Sequence, residues 1–167
     1  MDTTLNPWPI IGHELAVAYL SRAIAEDTLA HAYLLTGPEQ VGKQTMAQTF
    51  AQALLCTAEG NRPCGSCRAC HLVQARRHPD FLILDMAWQE SVLPDKRSAQ
   101  SISVDAVRLI NGELARRPHE GRWKVLLVPH AEELTVAAAN AFLKTLEEPP
   151  SFVVILLTAR DPDLVLP

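Results

Sequence analysis

"HAYLLTGPEQVGKQT", residues 31–45, decides how the rest of the chain is read. Its first six residues form a short apolar run that stops at Gly37-Pro38, as a buried strand ending in a turn would. Gly37 to Lys43 fits the G-x-x-x-x-G-K core of a phosphate-binding loop. The spacing of Met46, Ala47, Phe50, Ala51 and Leu54 predicts a helix from Lys43 to Leu55 directly behind it. In such a loop the glycines let backbone N–H groups converge on phosphate oxygens. The helix N-terminus adds partial positive charge, and Lys43 reaches the outer phosphates. The match is incomplete, because Gln44 stands where a Ser or Thr hydroxyl would ligate Mg²⁺. Thr45, one step further round the helix, reads as a second hydroxyl near the phosphates. The loop therefore has two readings: a nucleotide cradle, or a turn that keeps its shape without holding nucleotide.

Outward from this point the chain alternates between apolar runs and helical patterns. An extended start marked by Pro7 and Pro9 leads to helical spacing from Leu15 to Ile24. After the loop helix, residues 81–85 (FLILD), 124–128 (KVLLV) and 152–158 (FVVILLT) read as strands. Residues 86–100 are polar, broken by Pro94 and read as a mobile connection. Ser103 opens a helix running to about Arg116, and a further helix runs from about Thr135 to Glu147, before Pro149-Pro150. Strands that are apolar throughout and alternate with helices imply an α/β domain, a parallel sheet covered on both faces.

The third strand, KVLLV, raises the main doubt about chemistry. P-loop ATPases keep an Asp at this place to orient Mg²⁺, and their catalysis rests on positioning and charge neutralisation. Here the strand runs into Pro129 and His130. Glu132 and Glu133 follow too late to replace those acids and read as a solvated helix start. Together with Gln44, this removes metal ligands from both sides of the site, so hydrolysis by this chain alone is not expected and ATP/Mg²⁺ binding is doubtful.

All four cysteines fall within fifteen residues, as Cys56-x7-Cys64-x2-Cys67-x2-Cys70. Four soft ligands with close C-x2-C pairs suit Zn²⁺ in a closed tetrahedral site, structural and not catalytic. The pair Cys64 and Cys67 also has the spacing of a redox motif, but two further thiols beside it favour metal. Four unrelated buried thiols are the remaining reading. His71 could stand in for Cys70 only on the strength of adjacency.

The chain has 167 residues, 48% hydrophobic and 20% charged, with a formal net charge of −4. That is one domain's length and gives no overall field to gather nucleic acid. The basic run Arg116, Arg117, Arg122 and Lys124 reads as a solvated face. No secretory signal and no apolar run long enough to span a bilayer is visible, so a cytoplasmic protein without structural disulfides is expected.

Taken together, these motifs resemble the clamp-loader subunits of bacterial DNA polymerase III. The resemblance is carried by the phosphate loop, the four-cysteine insert 56–70 after its helix, and HPDF at 78–81. SVDAVRLI at 103–110, AANAFLKTLEEPP at 138–150 and LLTARDPDLVLP at the end add to it. It covers nearly the whole chain and implies an AAA+ α/β core bearing a small zinc module. Within that family the loss of the acids at Pro129-His130 is similar to delta-prime, a stator with degraded nucleotide motifs, and not to the ATP-driven gamma and tau subunits. By the same resemblance Thr158 would be the sensor residue of the fourth strand, and Gly12-His13-Glu14 with Ile10 and Ile11 would line an adenine pocket. His31 and His78 would be structural or surface residues. The family continues past Pro167 with an arginine-finger motif, a fifth strand flanking the phosphate-loop strand, a lid and a collar. Residues 1–167 would then be the N-terminal domain of a longer protein, with that strand edge unpaired. Its partners would be the delta and gamma/tau subunits, with the sliding clamp and primed DNA met through the assembled complex. An active gamma-like ATPase and a small zinc-dependent redox or nucleic-acid-binding module remain the alternatives.

Overall fold

The computed structural model describes residues 8–165, so the expected start at Pro7 lies outside the described residues. Four strands form one wholly parallel sheet: β1 (Ala32–Thr36), β2 (Phe81–Ile83), β3 (Lys124–Val128) and β4 (Val153–Ala159). Their order is β1-β4-β3-β2, with Leu34 beside Leu157 and Leu126 beside Ile155. Every residue of β3 and β4 is buried, whereas β1, at the edge, alternates between half-buried and exposed positions. The continuous apolar runs of the central strands are thus explained by cover on both faces.

Successive side chains on a strand point to opposite faces, and the core divides accordingly. Val125, Leu127, Val154 and Leu156 pack with Val17 and Leu20 of α1 (Glu14–Ala25) and with Met46, Phe50 and Leu54 of α2 (Lys43–Leu55). Leu126, Val128, Ile155 and Leu157 pack on the other face with residues of two later helices. Phe50 is fully buried, stacked at 6.0 Å on Trp8 and edge-on to Tyr33 at 5.0 Å. Its burial stabilises the fold by about 1.5–3 kcal/mol relative to an exposed ring.

The predicted helices form with small shifts at their ends. They are α1, α2, α5 (Val104–Leu114) and α6 (Val136–Glu147), between which lie α3 (Arg68–Gln74) and α4 (Met86–Val92). The hydroxyls of Ser103 and Thr135 accept from the N–H groups of Ala106 and Ala138, capping α5 and α6.

At two places the structure adds to or corrects the sequence reading. The segment 86–100 begins as helix α4, capped by Asp85, and its Gln89 is fully buried. That amide donates to Ser101 O at 3.1 Å and accepts from Ser103 N–H at 2.7 Å, closing the connection on itself. A buried polar residue breaks the apolar spacing from which a helix is read, so the pattern concealed it. Lys124 is no part of a solvated face either. It is 1% exposed, and its ammonium caps the end of α5 through Glu113 O and Arg116 O at 3.0 and 2.8 Å.

Candidate functional sites at the two ends of helix α2

Helix α2 begins at one candidate site and ends at another. Its N-cap is Gly42, with φ +90°, and Gly37 has φ +145°. A β-carbon at Gly42 would meet nothing within 4 Å, so glycine is required by the backbone angle and not by space. The loop between them reverses the chain and opens a cavity of about 490 Å³ lined by Gly42, Lys43, Gln44, Thr45, His130 and Thr158, with Glu39 and Arg160 at its rim. Five of the six sequence-predicted nucleotide-site positions, Gly42, Lys43, Gln44, Thr45 and Thr158, therefore line one cavity, and the sixth, Gly37, starts the loop beside it.

The side chains of this region bond to one another and to the loop itself. The Lys43 ammonium donates to the loop's own carbonyls, Gly37 O and Pro38 O. Gln44 Nε2 lies 2.9 Å from His130 Nε2, so the two residues at which the sequence departs from the ATPase motifs bond to each other. His130 adopts a left-handed backbone (φ 57°) that turns β3 sharply into the short helix Ala131–Glu133. Thr158 is buried, and its hydroxyl accepts from His130 N–H at 3.4 Å, a support for the turn. His13, also left-handed, sits 2.8 Å from Val41 O and ties the start of α1 to the loop. Ile11 is fully exposed, and neither Ile10 nor Ile11 lines this cavity. Glu132 departs from its expected solvated state: its side chain is 9% exposed and pairs with Arg160 at 3.2 Å.

At the other end, α2 stops at Cys56. The sulfurs of Cys56, Cys64, Cys67 and Cys70 all lie within 4.8 Å of one another, with Cys64–Cys70 at 4.0 Å and Cys67–Cys56 at 3.9 Å. Four sulfurs at Zn–S bond length around one ion would be about 3.8 Å apart, so the cluster has the size of a metal tetrahedron and could hold an ion. His71 is exposed, and the four sulfurs form the set without it.

The chemistry of the donors fits a cation as well. The N–H groups of Ser66 and Cys67 and the Ser66 hydroxyl hold the Cys64 thiol below its ordinary value. Burial works against ionisation of Cys67, yet hydrogen bonds from Cys70 and Thr57 outweigh it and bring that thiol to about 5. Burial pushes Cys56 and Cys70 up. Two thiols ready to ionise and two that resist is a set that a bound cation would complete, since its charge favours all four thiolates.

The module is held to the sheet by groups no motif revealed. Gln48 and Gln52 of α2 donate to Val73 O, Gln74 O and Cys70 O of α3. Arg68 makes a two-pronged pair with Glu120 at 2.7 and 2.8 Å. Beneath it, the fully buried Asp80 accepts from the N–H groups of His119 and Glu120 at 2.7 and 2.6 Å. His78 is buried, accepts from Asp80 N–H at Nδ1 and presents Nε2 to Glu120 at 3.8 Å. Only "HPDF" hinted at this knot, and its partners lie about forty residues on.

A parallel sheet with a phosphate-type loop after its edge strand, and a four-thiol cluster at the far end of the next helix, defines a P-loop α/β domain with a cysteine cluster that could hold a metal ion. The comparisons narrow that class. The chain belongs to the family described as "DNA polymerase III, delta subunit", whose model matches residues 12–167. It is 38% identical over 158 residues to DNA polymerase III subunit delta′ of Haemophilus influenzae, covering 94% of this chain and 44% of that protein. To the delta′ subunit of Pseudomonas aeruginosa it is 40% identical over 143 residues, 83% of this chain and 40% of the relative. The tau/gamma subunit of Haemophilus influenzae matches at 32% over 154 residues, 92% of this chain and 21% of that one. A crystal structure of a DNA polymerase III gamma subunit-related protein from Thermotoga maritima has the same fold, a parallel sheet flanked by helices. It superposes with a TM-score of 0.56 at 24% identity, covering 90% of this chain and 41% of the other, a likeness of fold. The chain spans less than half the length of these relatives. No helix among the described residues is long and apolar enough to cross a membrane.

Proposed function

We propose that residues 1–167 are the N-terminal AAA+ domain of a delta-prime clamp-loader subunit, a stator that helps place the sliding clamp on primed DNA without turning over ATP. The observation that carries this reading is the 2.9 Å contact between Gln44 and His130. Where a P-loop ATPase brings a hydroxyl and an acid together around Mg²⁺, this domain brings together an amide and an imidazole that bond to each other. Gly37, Gly42, Lys43, Gln44, Thr45 and Thr158 are then a degenerate nucleotide site. Cys56, Cys64, Cys67 and Cys70, in the insert 56–70, hold a structural Zn²⁺. The delta and gamma/tau subunits are the partners, clamp and DNA are met through the complex, and the compartment is the cytoplasm.

Titration with a non-hydrolysable ATP analogue, with and without Mg²⁺, tests the stator. Absent binding, or binding indifferent to Mg²⁺, is expected. The second reading, an ATP-hydrolysing subunit of gamma/tau type, is favoured by the retained glycine geometry and Lys43. Tight Mg²⁺-dependent binding, with turnover abolished by Lys43→Ala, would replace the first reading by the second.

A further inference from the structure

We propose that Arg160 is a resident cation that holds the phosphate loop in shape, taking the bridging place that nucleotide and metal occupy in a working P-loop site. Arg160 follows the end of β4, the strand between β1 and β3. Its guanidinium reaches both neighbouring loops: Nη1 to Glu39 of the phosphate loop at 3.1 Å, and Nε to Glu132 beyond β3 at 3.2 Å. Those contacts join segments 121 and 28 residues away in sequence. In a metal-loaded P-loop site the link between loop and third strand is a cation between oxygen ligands. Here a cation between oxygens makes the same link, but it is covalently part of the chain and its acids come from new positions.

The two halves of the bridge are unequal. Glu39 is an exposed partner, and screening weakens such pairs. Glu132 is nine-tenths buried, and its Oε2 has no hydrogen-bond partner, so Arg160 is the group that compensates the buried carboxylate. Removing the guanidinium would leave that charge uncompensated and would free Glu39 together with the loop. Lys43, already turned onto Gly37 O and Pro38 O, holds only the loop to itself and cannot replace a link between strands.

The inference rests on the stator reading only in that a loop without nucleotide needs another organiser. The test is amide hydrogen exchange on the metal-loaded full chain, read at residues 37–42 and 130–133. Arg160→Ala is expected to speed exchange there about tenfold while the amides of β3 and β4 stay within about twofold of the parent. Glu39→Gln, a change at an exposed site that leaves the fold intact, is expected to speed the loop alone by about threefold. In the double variant Glu39→Gln should add nothing to Arg160→Ala, since its partner is already gone. Unchanged loop exchange in Glu39→Gln, equal acceleration throughout the sheet in Arg160→Ala, or simple additivity would each overturn the role of Arg160. Slowing of loop exchange by Mg-ATP in the parent would instead count against the stator reading, leaving Arg160 to be judged on its own variants.

Discussion

Helix α2 carries a site at each end, and the two ends have kept different things. At its C-terminal end four sulfurs converge within 4.8 Å, with N–H donors already favouring ionisation at Cys64 and Cys67. At its N-terminal end the loop keeps its left-handed glycine and its lysine, but the groups around it bond among themselves. A metal tetrahedron acts through all four ligands together, so the loss of one weakens the whole site. A phosphate loop is also a strand-to-helix connection, and that role survives when the metal ligands go.

The comparison is most easily broken at the cysteine end. Cys70→Ser is expected to weaken Zn²⁺ binding by more than about 100-fold, measured by competition with a chelator, because the closed shell loses a thiolate. Full reactivity of all four thiols in the protein as purified would instead remove the metal from the account. Affinity for Zn²⁺ should also fall on acidification, since protons compete for the thiolates. Between pH 8 and 6 the loss should be steep, because Cys56 and Cys70, raised by burial, must give up protons to the solvent for each ion bound.

Phe50 lies between the two ends. Phe50→Ala should cost about 3–5 kcal/mol, read from denaturant unfolding, because a fully buried ring shared by Trp8 and Tyr33 leaves a cavity. If α2 is the common support, this variant loosens the loop and the cysteine module together. Loosening at one end alone would show that the ends are independent. Lys43→Ala removes two hydrogen bonds confined to the loop and should cost only about 1 kcal/mol, or about 2–4 °C in Tm.

The smallest effect is expected from pH acting on the knot beneath the module. Burial depresses the His78 pKa against the pull of Asp80 and Glu120, with Arg68 adding to the depression. The unfolded chain therefore binds this proton more readily than the folded one. Stability is full above the unfolded value of about 6.5 and declines as pH falls from there through the depressed folded value. His78→Gln should flatten that part of the stability profile, and an unchanged slope would place the acid sensitivity elsewhere.

Much of this was legible in the chain. The four strands, the four longer helices, the phosphate loop and the cysteine cluster each have a local signature, period or spacing. Helices α3 and α4 lacked one: α3 is capped by Cys67, whose sulfur accepts from Cys70 N–H, and α4 turns on a buried glutamine. Arg160, Glu39 and Glu120 could not have been found by pattern, and HPDF marked Asp80 without its partners, because each acts on a group brought near only by the folded sheet.

The sequence by itself therefore determined the class of fold, since apolar periodicity and glycine placement are local consequences of burial and backbone angle. It also identified the four thiols, whose spacing along the chain limits how they can meet. Only the tertiary structure decided what surrounds the phosphate loop. Charges 28 and 121 residues apart can find one another only when parallel strands bring their ends to the same edge. There, Gln44 meets His130 and Arg160 meets two carboxylates.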